Sequence, residues 1–469
     1  MMRKIFFQII AFTFMSQLIA QESLKTLNIG QLHYIIREFH PIVKQSEIRI
    51  KKAMAEHLLA KSNFDPILSN AMSEKVFGGN EYYSFLAPEI KIPTWFGIEL
   101  SAGLEELSGD KFDPSEAQGR SNYIGFSIPL AKNLIMDKRR ATLKQAKIYT
   151  TMADVEKKSI VNDLMMQSVE AYYNWVKSYK VYQIIIDNAE NSKKRIDFIR
   201  ASVDNGERPA VDTLEVVVQY QMIELLLNTK LIEYQNAVFQ LSSFLWVDED
   251  SFIFLPNDVV PEENWEDSFE SVTDSVDIQK VIETARVNHP ALELNALKND
   301  ILTIEQKLKF QELLPKIDLK YNQLGKGYDM LKTVQTHSVL QDNFQYGVKF
   351  EMPLFLAKGR AEYKISKLKI EENSLDKVQK EAGIELKLRS YFNEYENLRK
   401  QIVLQSSIYK SYQTLLSAEV VRFENGESSI FLVNSRESKI LDGAEKLIDL
   451  KAKYFKTAFT LKWGAGTLQ

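Results

Sequence analysis

The scarcity of glycine and proline over long stretches constrains this chain more than any other feature. The 469 residues include only 18 Gly and 12 Pro. Neither type occurs between Pro129 and Gly206, and no proline follows Pro353. Because these residues end helices and form turns, a globular enzyme of this size would have them throughout its length. The distribution therefore predicts very long helices.

Charge and composition exclude several classes of function. The chain has 59 Lys+Arg against 63 Asp+Glu, a net charge of −4, so it lacks the basic surface expected of a nucleic-acid-binding protein. It has no Cys, which excludes disulfides, thiolate metal sites and a cysteine nucleophile. The five His residues form no HExxH or tetrahedral set, and glycine motifs for nucleotides or a nucleophilic serine are missing. We therefore expect no enzyme, no cofactor and no metal site, and a structural role for His40 and His289, each of which precedes a proline.

The N-terminal residues 1–20 are predicted to be a signal peptide. Arg3 and Lys4 form a basic region, residues 5–15 are apolar, and Ala20 ends a plausible cleavage site. The apolar stretch is too short to span a membrane, although an uncleaved anchor is the alternative. No later segment approaches about 20 apolar residues, so any membrane-spanning part must consist of β-strands.

The chain contains an internal duplication, with a first repeat at 21–247 and a second at 278–465. Five landmarks occur twice in the same order, at offsets that fall from 249 to about 220 residues. They are His40-Pro41 and His289-Pro290, Pro66 and Pro315, Pro129 and Pro353, Tyr172-Tyr173-Asn174 and Tyr391-Phe392-Asn393, and Asn205-Gly206-Glu207 and Asn425-Gly426-Glu427. The falling offset means that the first copy has 25 more residues between its two prolines than the second.

Each copy has the same predicted order of elements. A helix follows the His-Pro pair, strands lie within about 66–130 and 315–353, and long helices cover 138–204 and 360–424. At 1.5 Å per residue these helices would each be about 100 Å long. Returning helices follow at 209–246 and 428–463. Apolar residues from Leu388 to Leu416, at steps of three and four with one gap of seven, predict coiled-coil packing.

The segment 248–277 separates the two repeats and is strongly acidic. It has eleven Asp or Glu residues and no Lys or Arg. We expect a solvated linker from this composition.

The predicted strands alternate strictly between apolar and polar residues. In 344–352, Phe344, Tyr346, Val348 and Phe350 share one face, opposite polar residues and Gly347. Such alternation suits a membrane barrel strand, and it equally suits a half-buried sheet in a soluble protein. If the strands span a membrane, a single chain has too few of them to close a barrel, since barrels begin at about eight strands. A homo-oligomer then follows, because open sheet edges are not tolerated in lipid.

These landmarks resemble the TolC-like outer membrane efflux protein family over about residues 26–465. The resemblance depends on the twofold helix–strand–helix order, the His-Pro starts, the Pro-Leu strand ends and the Asn-Gly-Glu turns. It implies a mostly α fold with membrane β-strands. As a homotrimer, the chain would form a 12-stranded outer-membrane β-barrel in outer-membrane lipid, continued by a long periplasmic α-helical coiled-coil tunnel. It also implies a passive exit duct of a tripartite efflux pump or type I secretion system in a Gram-negative bacterium. Its partners would be a periplasmic adaptor and an inner-membrane transporter. The resemblance further implies that the acidic segment 248–277 lies around the middle of the tunnel, as an equatorial segment.

The resemblance places a gate and an adaptor contact at the two helix-hairpin turns. The candidate residues are Asn205, Gly206, Glu207 and Asp212 in the first copy and Asn425, Gly426 and Glu427 in the second. Asp212 matches an acidic position that helps to hold the family's closed state. The second copy has Leu432 and Ser435 where many members have aspartates, so Glu207 and Glu427 would supply the acidity instead.

An alternative function is that of a periplasmic coiled-coil adaptor or scaffold protein. An adaptor would be built once around a central hairpin, whereas this chain is duplicated and has strands in both copies.

Overall fold

A computed structural model describes residues 25–109, 119–248, 251–256, 258–266, 276–335 and 343–468. The predicted signal peptide, residues 1–20, lies outside this part of the chain. The chain divides into two compact units, each assembled from separate segments. Within the described residues, the first unit comprises 25–44, 161–283 and 386–468, and the second comprises 45–160 and 284–385.

Helices account for most of the described residues. In the first copy they are α1 (Ile29–Phe39), α2 (Pro41–Lys61), α3 (Lys138–Asp204) and α4 (Ala210–Ser242). In the second they are α5 (Ile278–Asn288), α6 (Pro290–Gln311), α7 (Met330–Gln335), α8 (Ala357–Glu424) and α9 (Ile430–Gly464). Helices α3 and α8 have 67 and 68 residues, which confirms that the chain forms very long helices. Helices α1 and α5, which precede the His-Pro pairs, were not predicted.

The strands are β1 (Lys25–Leu27), β2 (Ile67–Phe77), β3 (Asn80–Pro93), β4 (Glu99–Ser108), β5 (Gly119–Pro129), β6 (Trp246–Asp248), β7 (Ser251–Phe252), β8 (Val259–Pro261), β9 (Lys316–Lys326) and β10 (Phe344–Glu351). Among the described helices, none is both long and apolar enough to cross a membrane.

The two His-Pro junctions are equivalent helix caps. Nδ1 of His40 accepts a hydrogen bond from the backbone N–H of Ile42 at 3.2 Å, and Nδ1 of His289 accepts one from Ala291 at 3.1 Å. Each bond satisfies an N–H that the first helical turn leaves unpaired. Burial lowers the pKa of His40, which keeps its ring neutral and able to accept. Both histidines therefore have structural roles.

Aromatic side chains form much of the core of the first unit. The rings of Tyr173 and Phe455 stack with centroids 5.8 Å apart, and the buried Trp265 contacts Phe455 at 5.5 Å. Tyr395 and Tyr454 also stack, and their hydroxyl oxygens are 2.7 Å apart. Trp265 belongs to the acidic segment 248–277, whose described part is therefore attached to this unit by a buried side chain.

The predicted coiled-coil positions of α8 are on the packed side of that helix. Leu388, Tyr395, Leu398 and Ile402 are all buried. Their spacing of three, four and seven residues keeps them on one face.

The second unit contains a six-stranded antiparallel sheet in the order β10–β9–β5–β4–β3–β2. The two copies meet where β5 pairs with β9. A trimer with a 12-stranded barrel would take four strands from each chain, whereas this sheet has six, four of them from the first copy. The hairpin β2–β3 covers residues 67–93, close to the 25 residues by which the first copy is longer.

The register of the sheet sorts its residues into an apolar face and a polar face. One row of partners across the strands is Leu68, Ile90, Ala102, Ile124, Gln323 and Phe344, and the next is Ile92, Leu100, Phe126, Tyr321 and Tyr346. A third row consists of Ile128, Leu319 and Val348. The opposite face has Lys91, Ser101, Gly125, Asn322 and Gln345 in one row. Most of the large apolar side chains on the first face are exposed or only partly buried.

The basic run Lys138-Arg139-Arg140 begins α3. The side chain of Arg140 is only 12% exposed. Its guanidinium forms an ion pair with Asp137 at 3.2 Å and donates to backbone carbonyls, including that of Leu134 at 3.1 Å. Gly97 has a φ of +97°, a conformation that favours glycine, and a Cβ there would lie 2.8 Å from Nη2 of Arg140, whose side chain would have to shift.

Candidate functional site at the helix-hairpin turns

Both helix-hairpin turns have the same backbone geometry. Helix α3 ends in a Schellman motif in which Gly206 has a φ of +74° and the N–H of Glu207 donates to the carbonyl of Ser202 at 2.9 Å. Helix α8 ends in the same way, with Gly426 at a φ of +76° and the N–H of Glu427 donating to Arg422 at 2.8 Å. The repeated Asn-Gly-Glu sequence is therefore a helix-ending signal, since glycine adopts this conformation without a steric penalty.

The structure places the predicted site residues in two kinds of environment. Asn205, Gly206 and Glu207 are exposed at the first turn, and Asn425, Gly426 and Glu427 are exposed at the second. Asp212 is different, because it is half-buried in the first turn of α4 and its carboxylate lies 3.8 Å from the guanidinium of Arg208. Only Asp212 among these seven residues has a side-chain ion pair within the described residues.

Arg208 connects the first turn to the second hairpin. Its guanidinium carbon lies 3.7 Å from the centre of the Phe423 ring, and its Nη2 donates to the backbone carbonyl of Phe423 at 3.1 Å. A cation over an aromatic face contributes about 0.5–2 kcal/mol, with the higher values for desolvated pairs. Because Asp212 contacts the same guanidinium, its carboxylate helps to position Arg208 over the ring.

A hydrophobic cluster lies behind these polar contacts and is shared by both hairpins. It comprises Ile196 and Ile199 of α3, Val216 of α4, Phe423 of α8, and Ile430 and Val433 of α9. Full burial of each such side chain stabilises the folded state by about 1.5–3 kcal/mol. Four helix ends are therefore held together by one core.

A buried ion pair joins the hairpins on the side of the cluster away from the turns. Nη1 of Arg195 in α3 donates to Oε2 of Glu437 in α9 at 2.6 Å, and Nη2 donates to the other carboxylate oxygen. Oδ1 of Asn434 accepts a further bond from Arg195 at 3.3 Å. The two side chains are only 20% and 10% exposed, so this bidentate pair is largely shielded from solvent.

The two hairpins differ inside, although their turns match. In the first copy, Ile199 and Val216 are apolar members of the shared cluster. The positions 220 residues later are Glu419 and Arg436, whose charged groups lie 3.8 Å apart. Glu419 is buried and also accepts a hydrogen bond from the hydroxyl of Ser428. At these equivalent positions the first hairpin thus has an apolar pair and the second has an ion pair.

Sequence reasoning found the turns and missed the residues that connect them. Arg195, Arg208, Phe423 and Glu437 belong to no motif, and the Arg195–Glu437 pair joins positions 242 residues apart. The sequence contains one signal for Arg208. At the offset of 220 residues that relates the two copies, Arg208 corresponds to Ser428, so the two turns differ at this position. Among the described residues, no group of three or more His, Asp or Glu could hold a metal ion.

Comparison with known proteins gives matches in structure alone. No family model matches the chain, and no curated protein does. The outer membrane channel CmeC of Campylobacter jejuni matches with a TM-score of 0.63 and 13% identity, over 94% of this chain and 85% of that one. The outer membrane protein VceC of Vibrio cholerae matches with a TM-score of 0.63 and 12% identity, over 93% and 96%. The outer membrane channel MtrE of Neisseria gonorrhoeae, solved in an open state, matches with a TM-score of 0.65 and 10% identity, over 94% and 89%. The chain therefore has the fold of the TolC-like outer membrane channels, as its duplicated landmarks predicted.

Proposed function

We propose that three copies of this chain form a passive outer-membrane exit duct of a Gram-negative bacterium. The duct serves a tripartite efflux pump or a type I secretion system, and most of each chain lies in the periplasm. A periplasmic adaptor and an inner-membrane transporter are its partners, and the transporter supplies the energy.

The exposed apolar face of the six-stranded sheet is the observation that carries this proposal. Side chains such as Leu68, Val348 and Phe350 are more than half exposed in the single chain. Contiguous apolar surface of this kind on a soluble protein leads to association or aggregation. Lipid covers the surface at no such cost, and the polar opposite face then borders an aqueous lumen.

Control of the duct is proposed to reside at the two helix-hairpin turns. An opening movement that separates the hairpins must break the contacts of Arg208 with Phe423 and of Arg195 with Glu437. The exposed Glu207 and Glu427 would place negative charge around the opening. An adaptor that binds these turns could therefore compete directly with the closing contacts.

Membrane fractionation tests the assembly. We expect the chain in the outer-membrane fraction, extracted only by detergent, with an oligomeric mass of three chains. Recovery as a monomer from the periplasm without detergent would overturn the proposal and favour the alternative function, a periplasmic coiled-coil adaptor or scaffold.

Conductance in a planar bilayer tests the role of the turns. Glu427→Lys should reduce cation selectivity, because it reverses an exposed charge without altering the Schellman geometry. Glu56→Lys in α2, also an exposed carboxylate, is the control. Equal selectivity of the Glu427→Lys channel and the unmodified channel would remove Glu427 from the gate.

A further inference from the structure

We infer that all six strands belong to the membrane wall, so that β2 of one copy pairs with β10 of the next and three copies close an 18-stranded barrel. This inference rests on the proposed function and adds its strand number and the surfaces that join the copies. The hairpin β2–β3 is the part that distinguishes it from a 12-stranded closure.

The strand ends near the long helices are staggered in one direction across the sheet. Strand β9 begins at Lys316, opposite Glu351 at the end of β10. Strand β5 ends opposite Asp318, two residues further along, and β4 begins opposite Ser127, another two residues along. Strand β3 ends at Pro93 opposite Glu99, with no further shift. Strand β2 begins opposite Lys91, which adds a further shift of two residues. The total shift is six residues over the five steps from β10 to β2.

This stagger has the size that a tilted membrane barrel requires. Six residues correspond to about 20 Å along a strand, and five steps between strands to about 24 Å across them. The line through the strand ends therefore makes an angle of about 40° with the perpendicular to the strands. In a barrel closed along this line, the strands tilt from the barrel axis by the same angle. Strands of closed barrels tilt by about 35–45°. Because β2 and β3 continue the stagger of the other four strands, we treat the hairpin as a continuation of the same wall.

The two sheet edges are complementary in direction and in face. Five antiparallel steps separate β10 from β2, so the two edge strands run in opposite directions and can pair antiparallel. Continuing the observed stagger places Glu351 of one copy opposite Ile67 or Ser69 of the next. In both registers Phe350 and Val348 fall on the same side as Leu68, so the apolar face continues across the junction.

Exposed apolar residues also follow the ends of β3 and β10. Trp95 in the β3–β4 turn is 77% exposed and Phe96 beside it is 52% exposed. After β10, Leu354 is 92% exposed and Phe355 is 86% exposed. Aromatic residues are enriched where barrel strands leave the lipid. Trp95 and Phe96 indicate that β3 reaches this boundary as β10 does.

The strand number determines the width of the duct in the membrane. Barrel diameter grows roughly linearly with strand number, so 18 strands give a barrel about 1.5 times as wide as 12 strands. Barrels of 16–18 strands leave an aqueous channel, whereas about eight strands are filled by side chains.

Cysteine pairs can distinguish the two closures, because the chain has no Cys of its own. Lys349→Cys on β10 is combined with Ser69→Cys or with Ala71→Cys on β2, which cover the two expected registers. The matched alternative combines Lys349→Cys with Ser101→Cys on β4, the strand that would meet β10 if only four strands closed the barrel. Lys349→Cys alone is the control. All these positions lie on the polar face of the sheet.

Outer membranes from each variant are treated with a short thiol-specific cross-linker and analysed on a denaturing gel. We expect one β2 pair to give linked dimers and trimers at least tenfold more abundant than those of the Ser101 pair. Linkage through Ser101 would overturn the inference in favour of 12 strands and leave the proposed function intact. A trimer without linkage in any pair would also overturn it. Absence of an outer-membrane oligomer would overturn the proposed function together with the inference.

Discussion

The ion pair between Arg195 and Glu437 should hold the two helix hairpins together, and Glu437→Gln tests this. The replacement keeps the shape of the side chain and removes its charge. Breaking a buried ion pair by removing one partner costs about 3–5 kcal/mol. Arg195 keeps its contact with Asn434 and is one-fifth exposed, so we expect a smaller cost here, about 2–3 kcal/mol.

Amide hydrogen exchange of the detergent-solubilised oligomer measures this cost where it arises. The free energy of local opening determines the rate of amide exchange, and each decrease of 1.4 kcal/mol raises that rate tenfold. Amides around Ile199, Val216 and Phe423 should therefore exchange roughly 30- to 140-fold faster in Glu437→Gln.

Two further variants separate this reasoning from a general loss of stability. Glu190→Gln on α3, the helix of Arg195, removes an ion pair with Lys194 whose side chains are 65% and 70% exposed, and it should change the exchange rates by less than about twofold. The double variant Arg195→Leu with Glu437→Leu removes both charges together and should recover most of the lost protection. If Glu437→Gln behaves like Glu190→Gln, the pair does not hold the hairpins and the reasoning fails.

Four other substitutions follow from the structure. Gly206→Ala should destabilise the first turn by about 1–2 kcal/mol, because its φ of +74° penalises a side chain even in open space, as seen in local amide exchange. Gly383→Ala, inside α8, should instead raise the thermal unfolding temperature, since alanine is favoured there by about 1 kcal/mol. Burial and neighbouring cations lower the pKa of His33 from 6.5 to about 4, so the folded state favours the neutral ring, and stability is lost as the pH falls from 6.5 towards 4. Between pH 7 and 4 the unfolding free energy of the unmodified chain should fall by about 1–3 kcal/mol more than that of His33→Asn. An equal fall in the two proteins would contradict the lowered pKa of His33. Trp265→Ala should cost about 3–5 kcal/mol in denaturant unfolding, and a cost near zero would mean that the acidic segment is not anchored by this side chain.

The long helices and their ends could be predicted because their signals are local. Absence of both Gly and Pro marked α3, absence of Pro marked α8, and the Asn-Gly-Glu turns have the backbone geometry that only glycine adopts freely. The His-Pro junctions were equally visible, since a cap acts on N–H groups two or three residues away.

Strand β2 and the contacts between the hairpins left no comparable signal. Residues 67–77 do not alternate between apolar and polar side chains as β10 does, and a bulge between Lys75 and Val76 shifts their register. Their place in the sheet depends on pairing with β3, which itself alternates poorly around Pro88. The partners Arg195 and Glu437 meet only because four helix ends pack together, and no spacing along the chain encodes that.

The different interiors of the two hairpins have a consequence for how the duplicated copies respond to the solution around them. Apolar contact between Ile199 and Val216 is insensitive to dilute salt, whereas salt screens the attraction between Glu419 and Arg436 to the extent that water reaches them. Rising ionic strength therefore weakens this contact of the second hairpin and leaves its apolar counterpart in the first unchanged. Two halves that share one architecture thus differ in which of their internal contacts depends on salt.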